Sequence, residues 1–203
     1  MEEKSIIILG ISPKGKIAAD IFQKNNLVVY GFLADNLPVT QKEYYDLPVL
    51  GGINDATFLA LLGDNCYGFI ALEDKQAYER LWQVFVKQYT QPPMISAIHP
   101  KTSLPMHPKL GECNLIASGV CIGPDAIISS HCHIGANAVI ENGAILHNFV
   151  EIGAGAIIGA GALIQENVYI GPSSIIAPSV TIKAHTTIPS GSIIKHSIIS
   201  NTL

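Results

Sequence analysis

Residues 152–176 read IGAGAIIGAGALIQENVYIGPSSII, in which an isoleucine returns at every sixth position. The same spacing holds without a slip from residue 116 to residue 194, and each of these positions carries a large aliphatic side chain. They are Ile116, Ile122, Ile128, Ile134, Ile140, Leu146, Ile152, Ile158, Ile164, Ile170, Ile176, Ile182, Ile188 and Ile194. A fixed period of this length along the chain indicates a solenoid of stacked repeats.

A second, smaller side chain follows four residues after each aliphatic position. The series is Val120, Ala126, Cys132, Ala138, Ala144, Val150, Ala156, Ala162, Val168, Ser174, Val180, Thr186 and Ser192. One large and one small inward position per six residues describe a short flat strand and a tight turn, so three repeats form a triangular coil of 18 residues. Glycines often follow the aliphatic residue, where a turn needs conformational freedom; they are Gly123, Gly135, Gly153, Gly159 and Gly171.

These features predict a left-handed parallel β-helix. Weaker matches at Ile98, Leu104 and Leu110 extend it backward, so the prediction is a helix from about Ile98 to Ile194 with five to six coils. An ordinary β-sandwich would instead show period-two alternation in strands of variable length.

The first part of the chain has a different pattern, in which strand-like and helix-like segments alternate. The predicted strands are Ile6–Leu9, Leu27–Leu33, Leu47–Leu50 and Tyr67–Leu72, and the predicted helices are Lys16–Lys24, Asp55–Leu62 and Lys75–Lys87. This βαβ order indicates a parallel sheet. Pro92 and Pro93 interrupt both kinds of element. We therefore predict an α/β plus β chain, with a Rossmann-like domain over residues 1–92 and the β-helix over residues 93–203.

Composition narrows the possible functions. The net charge is −4 and Arg80 is the only arginine, so a nucleic-acid partner is not expected. The apolar runs are much shorter than the roughly 20 residues that span a bilayer, and the start lacks the pattern of a secretory signal. We therefore expect a protein that does not insert into a membrane and that is located in the cytoplasm. Four cysteines without paired spacing, Cys66, Cys113, Cys121 and Cys132, suggest buried free thiols.

Several short motifs carry a resemblance to a known family. They are Ile8-Leu9-Gly10 with Gly15-Lys16, Gly31-Phe32-Leu33-Ala34-Asp35, Pro48-Val49-Leu50-Gly51-Gly52, and Ile98-His99-Pro100 at the entry to the repeats. With the order of the two domains, they make the chain similar to sialic acid O-acetyltransferases and bacillosamine-type sugar N-acetyltransferases, within the hexapeptide-repeat acyltransferase superfamily. The resemblance covers nearly the whole chain.

The resemblance implies an acetyl-CoA-dependent acetyltransferase that acts on an amine or hydroxyl of a nucleotide-linked sugar in glycan biosynthesis. It also implies a homotrimer, with acetyl-CoA as co-substrate between neighbouring β-helices and no catalytic metal. In such a reaction a histidine removes a proton from the acceptor as the acceptor attacks the thioester.

The resemblance also suggests the site residues. Those expected to bind the sugar substrate are Gly10, Ser12, Lys14, Gly15 and Asp35, and those expected near the cofactor are Gly153, Gly159 and Glu166. The catalytic candidates are His147 and Asn148. The family carries glutamate then histidine after an aliphatic repeat position, whereas the unbroken register here puts His147 on the glutamate and Asn148 on the histidine.

This displacement leaves more than one hypothesis open. In the first, His147 acts as the base, helped by Asn148 or Glu151; in the second, the chain is a catalytically silenced trimeric binding protein or scaffold of the same fold. A third hypothesis, zinc held by His131, His133 and His147, is disfavoured because the three stand at different repeat offsets. The loop Gly10–Gly15 also reads loosely as a triphosphate-binding motif, which Ile17 excludes because it replaces the Ser or Thr that holds magnesium.

Overall fold

The computed structural model describes residues 5–35 and 42–199 of the chain. The chain divides into two compact units, Met1–Ala97 and Ile98–Leu203. None of the helices in the described ranges has the length and apolar character needed to cross a bilayer.

The first unit alternates strands and helices, as predicted. Its elements are β1 (Ser5–Leu9), α1 (Pro13–Lys24), β2 (Val29–Leu33), β3 (Glu43–Tyr44), β4 (Leu47–Gly51), α2 (Ala56–Leu59), β5 (Cys66–Ile70) and α3 (Lys75–Gln88). The strand order in the sheet is β3-β4-β2-β1-β5. Strands β4, β2, β1 and β5 are parallel to one another. One edge differs from the predicted parallel sheet, because β3 pairs antiparallel with β4 through a turn in which Tyr45 and Asp46 have φ of 53° and 57°.

The centre of this sheet is buried on both faces. Ile6, Ile7, Ile8 and Leu9 of β1 have no exposed surface, which is the continuous apolar pattern of a central parallel strand. Helix α1 packs through a stripe of small and apolar residues, and its Phe22 meets Phe69 of β5 edge to face, with ring centroids 5.7 Å apart.

The second unit consists of sixteen strands of two residues each. They are β6 (Ala97–Ile98), β7 (Lys109–Leu110), β8 (Leu115–Ile116), β9 (Cys121–Ile122), β10 (Ile127–Ile128), β11 (His133–Ile134), β12 (Val139–Ile140), β13 (Ile145–Leu146), β14 (Glu151–Ile152), β15 (Ile157–Ile158), β16 (Leu163–Ile164), β17 (Tyr169–Ile170), β18 (Ile175–Ile176), β19 (Thr181–Ile182), β20 (Thr187–Ile188) and β21 (Ile193–Ile194). They form three parallel sheets, the walls of a left-handed β-helix. The walls have the orders β19-β16-β13-β10-β7, β20-β17-β14-β11-β8-β6 and β21-β18-β15-β12-β9.

Strand pairing confirms the coil of 18 residues. Ile134 pairs with Ile152 and Ile140 with Ile158, so each aliphatic position stacks on its equivalent in the next coil. From Ile116 to Ile188 these residues are at most 6% exposed, and together with the smaller inward side chains they form one continuous core. Burial of this apolar column is the main stabilisation of the unit.

The backward extension of the repeat is confirmed only in part. Ile98 and Leu110 pack against the core, but Leu104 is 38% exposed. Pro105 and Pro108 follow Leu104, and proline removes a backbone donor from a strand ladder. The first coil is therefore irregular between β6 and β7.

The glycines that follow the aliphatic positions were expected to give the turn conformational freedom, and the structure shows a different reason for them. These glycines do not have left-handed φ; a Cβ on Gly159 would lie 2.6 Å from the backbone nitrogen of Pro178 in the next coil. The left-handed residue is two positions further on, for example Gly161 with φ of 64°. The first glycine of the turn is thus needed for close approach of coils, and the later one for backbone conformation.

Candidate active site

The turns that carry the candidate base stack along one corner of the β-helix. This corner consists of residues 111–114, 129–132, 147–150, 165–168 and 183–186, and we call it the histidine corner. It gathers His131, His147 and His185 with Glu112 and Glu166. The turns of the other two corners are built mostly from glycine, alanine, proline and serine. The side chains capable of acid–base chemistry are therefore concentrated at this corner of the repeat region.

His147 has an exposed side chain on a firmly held backbone. Its N–H donates to the carbonyl of Ile164 at 2.9 Å, and its own carbonyl accepts a hydrogen bond from the Cys132 thiol at 3.1 Å. Burial raises the pKa of that thiol to about 12, so Cys132 remains a protonated donor at neutral pH. The imidazole of His147 is thus presented to solvent from a fixed main chain.

Asn148, the second catalytic candidate, has its side chain engaged within the fold. Its Oδ1 accepts a hydrogen bond from the N–H of Ser130 in the preceding coil at 3.0 Å. The same turn keeps the regular form, since Phe149 has the left-handed φ of 59° found at this position in neighbouring turns. The register of the turn is therefore unshifted, and His147 keeps the place in the repeat that the sequence predicts.

A ring stack links two turns of the histidine corner. The rings of His131 and Phe149 lie parallel within 17°, with centroids 4.7 Å apart, and both residues have left-handed φ. A left-handed backbone costs a bulky residue about 1–2 kcal/mol, and ring stacking contributes about 0.5–1.5 kcal/mol, so the two effects are comparable. Burial lowers the pKa of His131 to about 4, which keeps this imidazole neutral near pH 7.

His133, the remaining histidine of the zinc hypothesis, lies beside a carboxylate. His133 pairs directly with Glu151 across the parallel strands β11 and β14, as the 18-residue spacing predicts. Within residues 5–35 and 42–199, no three His, Cys, Asp or Glu side chains are grouped as a metal ion would require.

The expected cofactor residues are spread over the coil. Gly153 and Gly159 follow β14 and β15, so within one chain they occupy the two corners other than that of His147. Glu166 is exposed at the histidine corner, one coil beyond Asn148. A single chain therefore does not bring these three residues together.

The expected sugar-binding residues lie at one edge of the first unit. Gly10 follows β1 and Asp35 follows β2, and these two strands are neighbours in the sheet. Ligands of α/β sheets bind at the carboxyl ends of the strands, so Gly10, Ser12, Lys14, Gly15 and Asp35 share the appropriate edge.

Several polar groups at this edge already have partners. The Ser12 hydroxyl accepts from the N–H of Gly15 at 3.1 Å and donates to the carbonyl of Ala71 at 2.6 Å, which caps α1 and ties it to the end of β5. Asp35 Oδ1 accepts from the N–H of Ile53 at 2.9 Å. Gly10 and Gly15 are needed for close packing, since a Cβ on Gly10 would lie 2.9 Å from the carbonyl of Ala71.

Sequence reasoning missed the contacts that connect successive turns of the histidine corner. They are the stack of His131 on Phe149, the bond of Ser130 to Asn148 and the bond from the Cys132 N–H to the buried side chain of Asn114, at 2.7 Å. Each pair is 18 residues apart. The coil length was known from the repeat, so listing side chains at this separation would have found all three. Three of the four cysteines are buried as expected, but Cys121 is exposed because it occupies the outward position of β9.

The comparisons with known proteins agree with this architecture. Residues 131–166 and 161–196 match the family of bacterial transferase hexapeptide repeats (six repeats). A search of curated protein sequences finds no match.

Three solved structures are similar over nearly the whole chain. PerB from Caulobacter crescentus, in complex with CoA and GDP-perosamine, is 21% identical, with 96% of this chain and 90% of that chain covered and a TM-score of 0.81. The acetyltransferase domain of PglB from Neisseria gonorrhoeae is 17% identical, with 96% and 93% covered and a TM-score of 0.81. A histidine-to-asparagine variant of perosamine N-acetyltransferase from Caulobacter crescentus, also with CoA and GDP-perosamine, is 23% identical, with 96% and 90% covered and a TM-score of 0.65.

At these identities the structural likeness establishes the fold, and the repeat match identifies residues 131–196 as hexapeptide repeats. The chain therefore carries, from residue 131 to residue 196, the repeats of the bacterial transferase hexapeptide family, and its fold is the one found in these acetyltransferases.

Proposed function

We propose that this protein transfers an acetyl group from acetyl-CoA to an amine or hydroxyl of a nucleotide-linked sugar in glycan biosynthesis. The observation that carries the proposal is the match of 96% of the chain, at a TM-score of 0.81, to a protein solved with CoA and a nucleotide-linked amino sugar. The exposed imidazole of His147 supplies the chemical group that such a transfer needs.

His147 is the proposed general base. It accepts the proton of the sugar amine or hydroxyl as the nitrogen or oxygen forms a bond to the thioester carbonyl carbon. Backbone amides stabilise the tetrahedral oxyanion, and its collapse breaks the carbon–sulfur bond. The proton then passes from His147 to the departing CoA thiolate, which leaves the histidine neutral for the next turnover.

Asn148 has a different role in this scheme. A carboxamide does not act as a base at neutral pH, and its oxygen already accepts from the N–H of Ser130. Asn148 therefore anchors the turn from which His147 extends. Because the Asn148 side chain is engaged in this way, His147 is the residue of the turn that exchanges the proton.

The sugar nucleotide is proposed to bind the edge of the first unit that carries Gly10, Ser12, Lys14, Gly15 and Asp35. Acetyl-CoA is proposed to lie between neighbouring subunits, because Gly153, Gly159 and Glu166 occupy three different corners of one chain and can meet at one site only if different chains supply them. Because acetyl-CoA and nucleotide sugars are cytoplasmic metabolites, we place the reaction in the cytoplasm.

The direct test is release of CoA thiol from acetyl-CoA in the presence of candidate acceptors. GDP-perosamine and a panel of nucleotide-linked amino and neutral sugars serve as acceptors, and mass spectrometry of the sugar product identifies the acetylated atom. Turnover with at least one acceptor, dependent on both substrates, is the expected result. Binding of CoA without turnover on any acceptor contradicts the enzymatic proposal.

A homotrimer is the expected assembly. The outward positions of β9, β12, β15, β18 and β21 are all apolar or cysteine, and Ile175 and Ile193 are 37% and 61% exposed in the single chain. A continuous apolar sheet face of this kind usually marks an interface. Multi-angle light scattering is expected to give about three times the 21.7 kDa of one chain. A monomer at micromolar concentration contradicts it.

A second candidate function is a silenced trimeric binding protein of the same fold. The observation that favours it is Asn148, which stands where the family carries its histidine. A related perosamine N-acetyltransferase with one histidine replaced by asparagine has been solved with both CoA and GDP-perosamine, so its binding survives that change. Such a protein would bind both ligands without releasing CoA thiol.

A further inference from the structure

The histidine corner is unusual in the residues that occupy the left-handed position of each turn. At the other two corners this position holds only glycine, asparagine, aspartate or serine, for example Gly155 and Asn137. At the histidine corner it holds Cys113, His131, Phe149, Asn167 and His185, all with φ between 57° and 64°. Left-handed φ is an outlier for a residue as bulky as phenylalanine, so something must hold Phe149 in this conformation.

The contacts of Phe149 show what holds it. Its ring lies on the imidazole of His131, with centroids 4.7 Å apart, and its N–H donates to the carbonyl of Ser130 at 3.1 Å. The side chain of Asn148 accepts from the N–H of the same serine. With the bond from the Cys132 thiol to the carbonyl of His147, one ring stack and three hydrogen bonds join the turn 147–150 to the turn 129–132. His147 is the first residue of the turn that they hold.

We propose that His131 is a positioning residue for His147: its ring, stacked on Phe149, holds Phe149 in its left-handed conformation and so fixes the turn from which the His147 imidazole extends. This inference rests on the proposed role of His147 as the base. His131 itself touches neither substrate and carries no proton in the reaction.

The stack also makes the turn sensitive to acid. Burial lowers the pKa of His131 to about 4, and protonation would place a charge in a largely apolar contact. Other titratable groups around it are Glu112 and Cys113 in the preceding turn, His147 in the following turn, and His133 with Glu151 on the adjoining strands. Because the folded pKa lies below the unfolded value, the stabilisation is complete above about pH 6.5 and is lost as the pH falls toward 4.

The test compares His131→Ala, which removes the stack, with His131→Phe, which keeps a stacking ring. His185→Ala is the matched control, because His185 is the same residue at the same left-handed position of the same corner, three coils further on, with an exposed side chain. The two measurements are the NMR resonances of the His147 imidazole and the kcat and KM of acetyl transfer.

His131→Ala is expected to shift and broaden the His147 resonances and to lower kcat about tenfold, with the KM for acetyl-CoA within about twofold, because misplaced groups lose rate before binding. His131→Phe is expected to retain both the resonances and kcat, and to lose less stability than wild type between pH 6.5 and 4. His185→Ala should match wild type. Unchanged His147 resonances in His131→Ala overturn the proposal, whatever happens to kcat.

A second variant, Phe149→Ala, keeps the proposal testable if His131→Ala does not fold. Phe149→Ala removes the other ring of the stack and leaves His131 in place, so it is expected to reproduce the shift in the His147 resonances; wild-type resonances there overturn the proposal. A lost positioning role of His131 and a lost base function of His147 give different results. If the resonances respond as expected but no variant, including wild type, transfers acetyl groups, the positioning role stands and the proposed base function of His147 is wrong.

Discussion

Replacing His147 by alanine is expected to lower kcat for acetyl transfer by about a hundredfold or more, the usual loss when a general base is removed. The imidazole is exposed on a backbone held by Ile164 and Cys132, so its removal should leave the turn intact. Acetyl-CoA affinity should change little, because we expect backbone groups and apolar surface, not the imidazole, to bind the pantetheine. Steady-state kinetics and calorimetric titration with CoA measure the two quantities separately.

The control for this prediction is His185→Ala, which removes an exposed imidazole from the same corner. It should retain the wild-type rate. If His147→Ala also retains full activity, the base lies elsewhere and the site assignment is wrong.

A register-restoring variant, His147→Glu with Asn148→His, separates the active enzyme from the silenced protein. It moves the imidazole to the family's position, beside a carboxylate that can orient it. The hydrogen bond from Ser130 to Asn148 is lost in the exchange, so some stability is lost with it. Turnover that appears only in the double variant identifies the chain as a silenced relative; turnover in wild type, preserved or raised in the variant, supports His147 as the present base.

The second large effect is a loss of stability, which we expect for Gly159→Ala. A Cβ at residue 159 would lie 2.6 Å from the nitrogen of Pro178 and 2.7 Å from the carbonyl oxygen of Ile176. Both atoms belong to the backbone of the next coil, which cannot move without breaking its own ladder. We expect a loss of about 3 kcal/mol or more in the free energy of unfolding, at the upper end for overpacked sites. Urea unfolding with an unchanged m-value measures it.

Gly161→Ala is the matched control in the same turn. Gly161 has a φ of 64°, but a Cβ there would meet only the Ser179 hydroxyl at 3.7 Å. The expected loss is about 1–2 kcal/mol, the cost of a left-handed backbone for alanine. Equal losses at residues 159 and 161 would show that backbone conformation, and not the approach of the next coil, determines the need for glycine.

The repeat architecture was predictable because it rests on a simple physical pattern. One large and one small inward side chain per six residues can be buried only if three repeats close a coil, and Ile134 opposite Ile152 confirms this register. The order of strands and helices in the first unit followed equally from the periodicity of its apolar residues. Leu104 deviates because the prolines after it prevent a regular strand, which periodicity alone did not reveal.

The candidate site was less predictable, because the roles of its side chains depend on neighbours in other coils. Asn148 stands in sequence beside His147, yet its oxygen is bonded to Ser130, eighteen residues earlier. Ser12 reads as a ligand-binding hydroxyl, yet it caps α1 and donates to Ala71. A polar side chain that satisfies a backbone group has the same residue type as one that binds substrate, so sequence alone does not distinguish the two.

The sequence by itself determined the solenoid, its coil length and the register of its repeats, because each follows from periods that local chain geometry imposes. Only the tertiary structure showed that the turn around His147 is unshifted, that His131 stacks on Phe149, and that Gly159 is needed for the approach of the next coil. These depend on distances between residues far apart in the chain, which exist only once successive coils have stacked.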